Sequence, residues 1–410
     1  MWLKCYIYIV FIVSVFVDMY NGYVQLVRHS STILPSIFKG GILLFSLIFL
    51  VKSKKMLVIG ASFLILFLVD VLIWETSGYV TTFSAIVNDF VRLVYPFGVF
   101  IVLYVYKNRI TKDFLLHNAM YFGLIIAITV VLGKIFGFGF NSYGDSYGYG
   151  TKGLFHGGND ISLSLLLSFC ICSYYLMTKG SFKYIIFTLL FINSSLLVGS
   201  TAVMLGAIII EIFLIVLPLF VHNSYALYYY KFRKLLFWLG LPLIFFVVYK
   251  ISQVDQYTRK KFNLENIISG QARNPLKNAY YEVSNNFGLW EYLFGTGPEY
   301  LQNRVGLHLY GILKPRLLEV DYLTLFGTYG HILGLLILLY PFIVFRRNFI
   351  SWLLGRDFCL VWLNIAIVIF VAHGIIAGHA YTSSTASVIL MAIIISSLDS
   401  NSYIDIKKYD

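Results

Sequence analysis

TAVMLGAIIIEIFLIVLPLF, residues 201–220, is the stretch on which the reading of the fold turns. Twenty residues in a helix extend about 30 Å, the thickness of the hydrocarbon layer of a bilayer. The only charge in the stretch is Glu211. A surface helix of a soluble domain keeps one polar face, and this one has none, which marks a membrane span. Carried outward, the same reading gives about 12 spans, over residues 5–22, 34–51, 56–74, 88–106, 115–135, 161–177, 184–199, 201–220, 235–251, 321–345, 352–372 and 382–398. The first is weak and has the look of a signal peptide. No small-residue cleavage site follows it, so it counts as a span.

Composition agrees. The 410 residues are 59% hydrophobic, 18% aromatic and 12% charged, with a mean hydropathy of +0.80. A soluble domain carries about 25% charged residues. A soluble enzyme, a disordered chain and an ordinary secreted domain are therefore excluded. The expected fold class is all-α integral membrane: a polytopic bundle of transmembrane helices with a large extracytoplasmic loop.

The net charge of +12 reads mainly as topology. With the N-terminus in the cytoplasm, seventeen Lys and Arg fall on cytoplasmic segments and four, Arg28, Lys39, Lys134 and Lys152, on short external ones. That bias is the positive-inside pattern and puts both termini in the cytoplasm. No nucleic-acid partner is needed to explain the charge. Cys5, Cys170, Cys172 and Cys359 lie in or beside apolar runs without metal-ligand spacing, so no metal site is expected from them. No P-loop is present, which argues against ATP-driven transport.

Three parts follow from the span map. Residues 1–251 hold nine spans, short loops and a Gly/Tyr-rich outer segment, 136–160 (FGFGFNSYGDSYGYGTKGLFHGGND), expected to be a flexible flap. Residues 252–320 form one long external loop with eight Lys and Arg, which long loops tolerate. Residues 321–410 hold the last three spans and a cytoplasmic tail. Within the loop, Leu276, Tyr280, Val283, Phe287, Trp290 and Phe294 recur at helical spacing. The expectation is one amphipathic helix, with Asn274 as cap and Pro275 in its first turn, lying apolar side down on the membrane. It either covers the bundle or roofs a cavity.

Arg273 precedes that stripe, and Arg304, His308, Lys314, Arg316, Glu319 and Asp321 follow it. Guanidinium groups bind phosphate oxygens through paired hydrogen bonds and stay charged, so this clustering suggests an anionic ligand. For any one of these arginines, a solvated loop surface is the favoured explanation of the charge. Arg92, inside a span, needs a polar partner. It either pairs with Asp89 one turn earlier or reaches outward to join the loop arginines. Asp70 and Glu211, also inside spans, signal an ion or proton path only weakly.

Several stretches, in order, resemble the Wzy-type O-antigen and capsular polysaccharide polymerases and their relatives, the O-antigen ligases. They are Lys152-Gly153-Leu154-Phe155-His156-Gly157-Gly158-Asn159, Leu197-Val198-Gly199-Ser200-Thr201-Ala202, Ser269-Gly270-Gln271-Ala272-Arg273, Leu293-Phe294-Gly295-Thr296-Gly297, Glu319-Val320-Asp321-Tyr322-Leu323 and Phe326-Gly327-Thr328-Tyr329-Gly330. An Arg that often sits between the Ser and Thr of the second stretch is absent here, which puts any role of that Arg in doubt for this chain.

The resemblance implies a GT-C-like bundle in the bacterial plasma (inner) membrane. Its implied activity is metal-independent, inverting transfer of a glycan from one undecaprenyl-pyrophosphate-linked oligosaccharide to another, without a cofactor. Membrane lipids, a chain-length regulator and a flippase are the implied partners. Under this reading Arg273, Arg92, Arg316 and Arg304 bind pyrophosphate, and Glu319, then Asp321, then His308 are candidates for the general base. Asn159 and Tyr322 contact sugar. A ligase remains the nearest alternative, and its catalytic His usually lies just before the return helix, whereas His308 stands thirteen residues before Asp321. A flippase or carrier of lipid-linked sugars is a further alternative, disfavoured by the outward position of the charges and by the lack of paired broken helices.

Overall fold

The computed structural model describes residues 2–30, 32–79, 82–142, 150–220, 273–353 and 360–398. The ninth expected span (235–251), residues 252–272 of the loop, Cys359 and the tail from 399 lie outside the described residues.

The described chain is helical, with one isolated bridge between Asn141 and Thr151. The helices are α1 (Trp2–Arg28), α2 (Leu34–Leu47), α3 (Lys54–Thr76), α4 (Phe83–Val105), α5 (Lys112–Phe136), α6 (Gly158–Lys179), α7 (Phe182–Val198) and α8 (Thr201–Phe220). After the undescribed stretch come α9 (Asn274–Ser284), α10 (Leu289–Phe294), α11 (Pro298–Tyr310), α12 (Asp321–Leu353), α13 (Leu360–Ile376) and α14 (Ala386–Leu398). Seven of them, α1 to α6 and α12, are long and apolar enough to cross a membrane, α2 together with the short turn that follows it. The other apolar helices, α7, α8, α13 and α14, are shorter and fall where spans are expected. The chain is a polytopic helical membrane protein.

α6 is the centre of the bundle and α3 its rim: 89% of the apolar window of α6 is buried against 17% for α3. Composition explains the difference. Lipid tails are as apolar as leucine, so helices associate in a bilayer through close packing of small residues and interhelical hydrogen bonds. α6 supplies Ser162, Ser164, Ser168, Cys170, Cys172 and Ser173, all buried. A Cβ on Gly123 of α5 would stand 2.3 Å from the Ser168 Cβ, and Ser168 Oγ donates to the Ala119 carbonyl at 3.0 Å. α3 carries Leu57, Val58, Ile59, Ile65 and Leu72 exposed, a surface for lipid.

Two expectations need correction. The stripe 276–294 is two helices, since a turn at 285–288 separates α9 from α10. The apolar side of its first half is turned into the loop: Leu276, Tyr280 and Val283 are buried against Leu301 and Val305 of α11 and Leu318, Val320 and Leu323. The loop thus builds a small core of its own, and Leu289 and Trp290 are the large apolar side chains of α10 left most exposed. Nor does Asn274 cap the helix; Arg273 holds that position and Pro275 lies in the first turn, as expected. The described arms of the 136–160 segment are packed rather than loose. The Phe140 amide donates to the Gly153 carbonyl (2.9 Å), the Thr151 amide to the Leu197 carbonyl (2.8 Å), and Thr151 and Phe155 are buried.

Candidate functional site

The site lies where α6, α12 and α14 begin and α13 ends, beside the loop. Its geometry starts with glycines that let backbone approach backbone. Gly330 interrupts α12 with φ of 66°. A side chain there would strike the Leu293 carbonyl at 2.2 Å, and one on Gly295 (φ 74°) would strike the Thr328 carbonyl at 2.2 Å. Between these glycines the Thr296 and Gly297 amides donate to the carbonyls of Gly327 and Thr328, at 2.9 and 3.1 Å. The stretches Leu293–Gly297 and Phe326–Gly330 are therefore one joint that fastens the loop to the kink of α12. Trp74 of α3 closes it, donating from Nε1 to the Phe294 carbonyl at 3.2 Å. The 197–202 stretch is held by residues that flank 152–159: the Ser162 and Ser200 hydroxyls are 3.0 Å apart, and Ser142 Oγ donates to the Val198 carbonyl at 2.7 Å.

Upon this frame the charges assemble. Glu319 pairs with Arg316 through Oε1 at 3.0 Å and with Arg273 through Oε2 at 3.4 Å. Arg273 also donates to the Ala377 carbonyl at 3.3 Å, and Asn159 Nδ2 donates to that carbonyl at 3.0 Å. Asp321, two residues after Glu319, is buried and takes a different set of donors: the backbone amides of His379 (2.5 Å), Ala380 (2.7 Å) and Tyr381 (3.1 Å). Five residues, 377 to 381, thus bind α6, Arg273 and α12 together at one end of the bundle.

Arg92 has no ion pair within 4 Å among the described residues, and its side chain is exposed. Asp89, the expected partner, instead accepts from the Tyr329 hydroxyl next to the α12 kink. Arg92, Arg273, Asp160 and Glu319 are the charges that act on the His379 imidazole. Burial is the largest influence and holds that imidazole below its ordinary pKa, the two carboxylates raising it and the two guanidiniums lowering it. His156, on the arm leading to α6, is likewise lowered first by burial, then by Lys152, against the pull of Asp160.

Of the residues singled out from sequence, Arg273, Arg316, Glu319, Asp321 and Asn159 come together, with Arg92 close enough to act on the same histidine. Three do not join them. His308 Nδ1 pairs with Glu282 at 2.9 Å instead. Arg304 lies 5.1 Å over the Tyr300 ring and is exposed. Tyr322 packs against the loop core. Asp70 and Glu211 are buried in α3 and α8, and neither contributes to the cluster. The sequence reading passed over Asp160 and His379. A signal existed, because the connection after the eleventh expected span falls on the same side as the long loop and carries two histidines, His373 and His379.

Searches of protein-family models, curated proteins and solved structures returned no match for this chain.

Proposed function

We propose that the chain is a glycosyltransferase that polymerises undecaprenyl-pyrophosphate-linked oligosaccharide repeat units on the outer face of a bacterial plasma membrane. The observation that carries the reading is the gathering of Arg273, Arg316 and Arg92 around Glu319 and the 377–381 segment, at the end of a membrane bundle. Arg273 and Arg316 both bind Glu319, and Arg92, whose charge acts on His379 and Asp89, has no ion pair within 4 Å among the described residues. Such a cluster suits a pyrophosphate, whose charge grows as the bond to the anomeric carbon breaks. Fixed cations aimed at that charge lower the barrier without reorganising. Glu319 holds two of the guanidiniums in register, the role of a positioning residue.

In this reading the acceptor sugar hydroxyl attacks the anomeric carbon of the donor from the face opposite the pyrophosphate, which inverts the linkage. Lipid tails lie along the bundle while the headgroups reach the arginines. Incubation of the purified protein with defined lipid-linked repeat units, in the presence of EDTA, tests this. A ladder of lengthened glycans is expected. Transfer only to a lipid A core would identify a ligase, and flipping of fluorescent lipid-linked sugar with no chain growth would identify a carrier.

A further inference from the structure

The loop 377–381 holds one side chain whose position its backbone should resist. Gly378 and His379 are consecutive left-handed residues, with φ of 69° and 64°. At Gly378 the reason is close approach, since a Cβ would stand 2.5 Å from the Glu319 carbonyl carbon. At His379 no such approach selects the residue, and Gly or Asn would hold the same backbone at lower cost. Three successive amides on the Asp321 carboxylate, and the Ala377 carbonyl held by Asn159 and Arg273, fix the turn regardless. Strained positions over-determined by their surroundings cluster at functional sites.

The three proton acceptors named from the sequence are engaged. Both Glu319 oxygens bind guanidinium, Asp321 binds three amides, and His308 binds Glu282. His373 is buried within α13. His379 is half-buried, and neither of its ring nitrogens has a hydrogen bond among the described residues.

We propose that His379 is the catalytic base of the glycosyl transfer described above, presented on the turn that Asp321, Asn159 and Arg273 hold. The inference rests on that reading of the function. The acceptor hydroxyl oxygen forms the new bond to the anomeric carbon while its proton passes to a ring nitrogen of His379. The anomeric bond to the pyrophosphate breaks and its electron pair leaves on the phosphate oxygen, beside Arg273 and Arg92. The proton on His379 then returns to water. A base must be neutral before it acts, and burial of His379 favours the neutral imidazole. The charges facing it are Asp160 from α6, Glu319 from the loop, Arg92 from α4 and Arg273, with His373 next along its own segment.

The test uses the full-length protein with defined lipid-linked repeat units and three variants. H379N and H379G keep the left-handed turn and remove the imidazole. Both are expected to bind the lipid-linked substrate as the wild type does and to lose turnover by about 10²- to 10⁴-fold. Added imidazole should restore part of the H379G activity. In wild type, kcat/KM falls as pH drops through the His379 pKa, and D160N should move that limb to lower pH, because Asp160 raises it. Wild-type turnover in H379N and H379G would overturn the proposal while leaving the polymerase reading intact. So would a loss that imidazole does not relieve, with an unmoved limb in D160N. An inactive wild type would remove both.

Discussion

Arg273, Arg316 and Glu319 on one side of the loop, and Glu282, Arg304 and His308 on the other, are the same kinds of charge in one small unit. Their settings differ. Glu282 is 64% exposed where it meets His308, and Arg304 rests on a neighbouring tyrosine. Glu319, 32% exposed, is held by two guanidiniums, one of which also reaches a carbonyl of the 377–381 segment. An exposed ion pair contributes about 0.2–1 kcal/mol and tolerates loss. A charge tied to helix ends from several parts of the chain fixes geometry, so its removal propagates. The two faces share the loop core of Leu276, Tyr280, Val283, Leu301 and Val305, which holds them in one orientation.

That contrast can be broken by mutation. Among the charges of the loop, Arg273→Ala should have the largest effect, about 10²- to 10³-fold on polymer formation, the scale of losing one donor to developing charge. Long glycan should vanish from a gel while single lipid-linked repeat units persist; a normal ladder from correctly inserted protein would reject the assignment. Asp321→Asn comes next, because the asparagine NH2 would face at least one of the amides that a carboxylate oxygen now accepts. It should cost about 2–3 kcal/mol of stability, read as a lowered melting temperature in detergent together with lost activity.

Glu319→Gln should leave lipid-linked substrate bound and reduce turnover about tenfold, through looser guanidiniums. Loss of binding with turnover of the residual complex unchanged would give Glu319 a different role. His308→Ala should be smallest, within about twofold in both rate and stability, as for an exposed pair. A loss as large as that of Arg273→Ala would erase the distinction between the two faces.

Much of the bundle was legible, since a run such as 201–220 has few other solutions. The glycine-rich stretches were legible as motifs but not as partners, because no sequence pattern says that 293–297 will bond to 326–330. The break of the 276–294 stripe escaped notice since its helical spacing continues across the turn at 285–288. Local spacing offers Asp89 as one of two outlets for Arg92, and a hydroxyl from a helix 240 residues away takes that carboxylate instead. His379 was missed because its setting is made by Asp321, Glu319 and Asp160, none of which is near it in the chain.

The sequence by itself determined that the chain lives in a membrane and about where its helices run, because hydrocarbon forbids unpaired backbone and makes each charge costly over a 20-residue stretch. That constraint is local and can be read in one dimension. Which carboxylate holds guanidinium, which holds backbone amides and which histidine stays free were decided only in the tertiary structure. Electrostatic and hydrogen-bond partners act over a few ångströms, and those distances are set by the packing of helix ends.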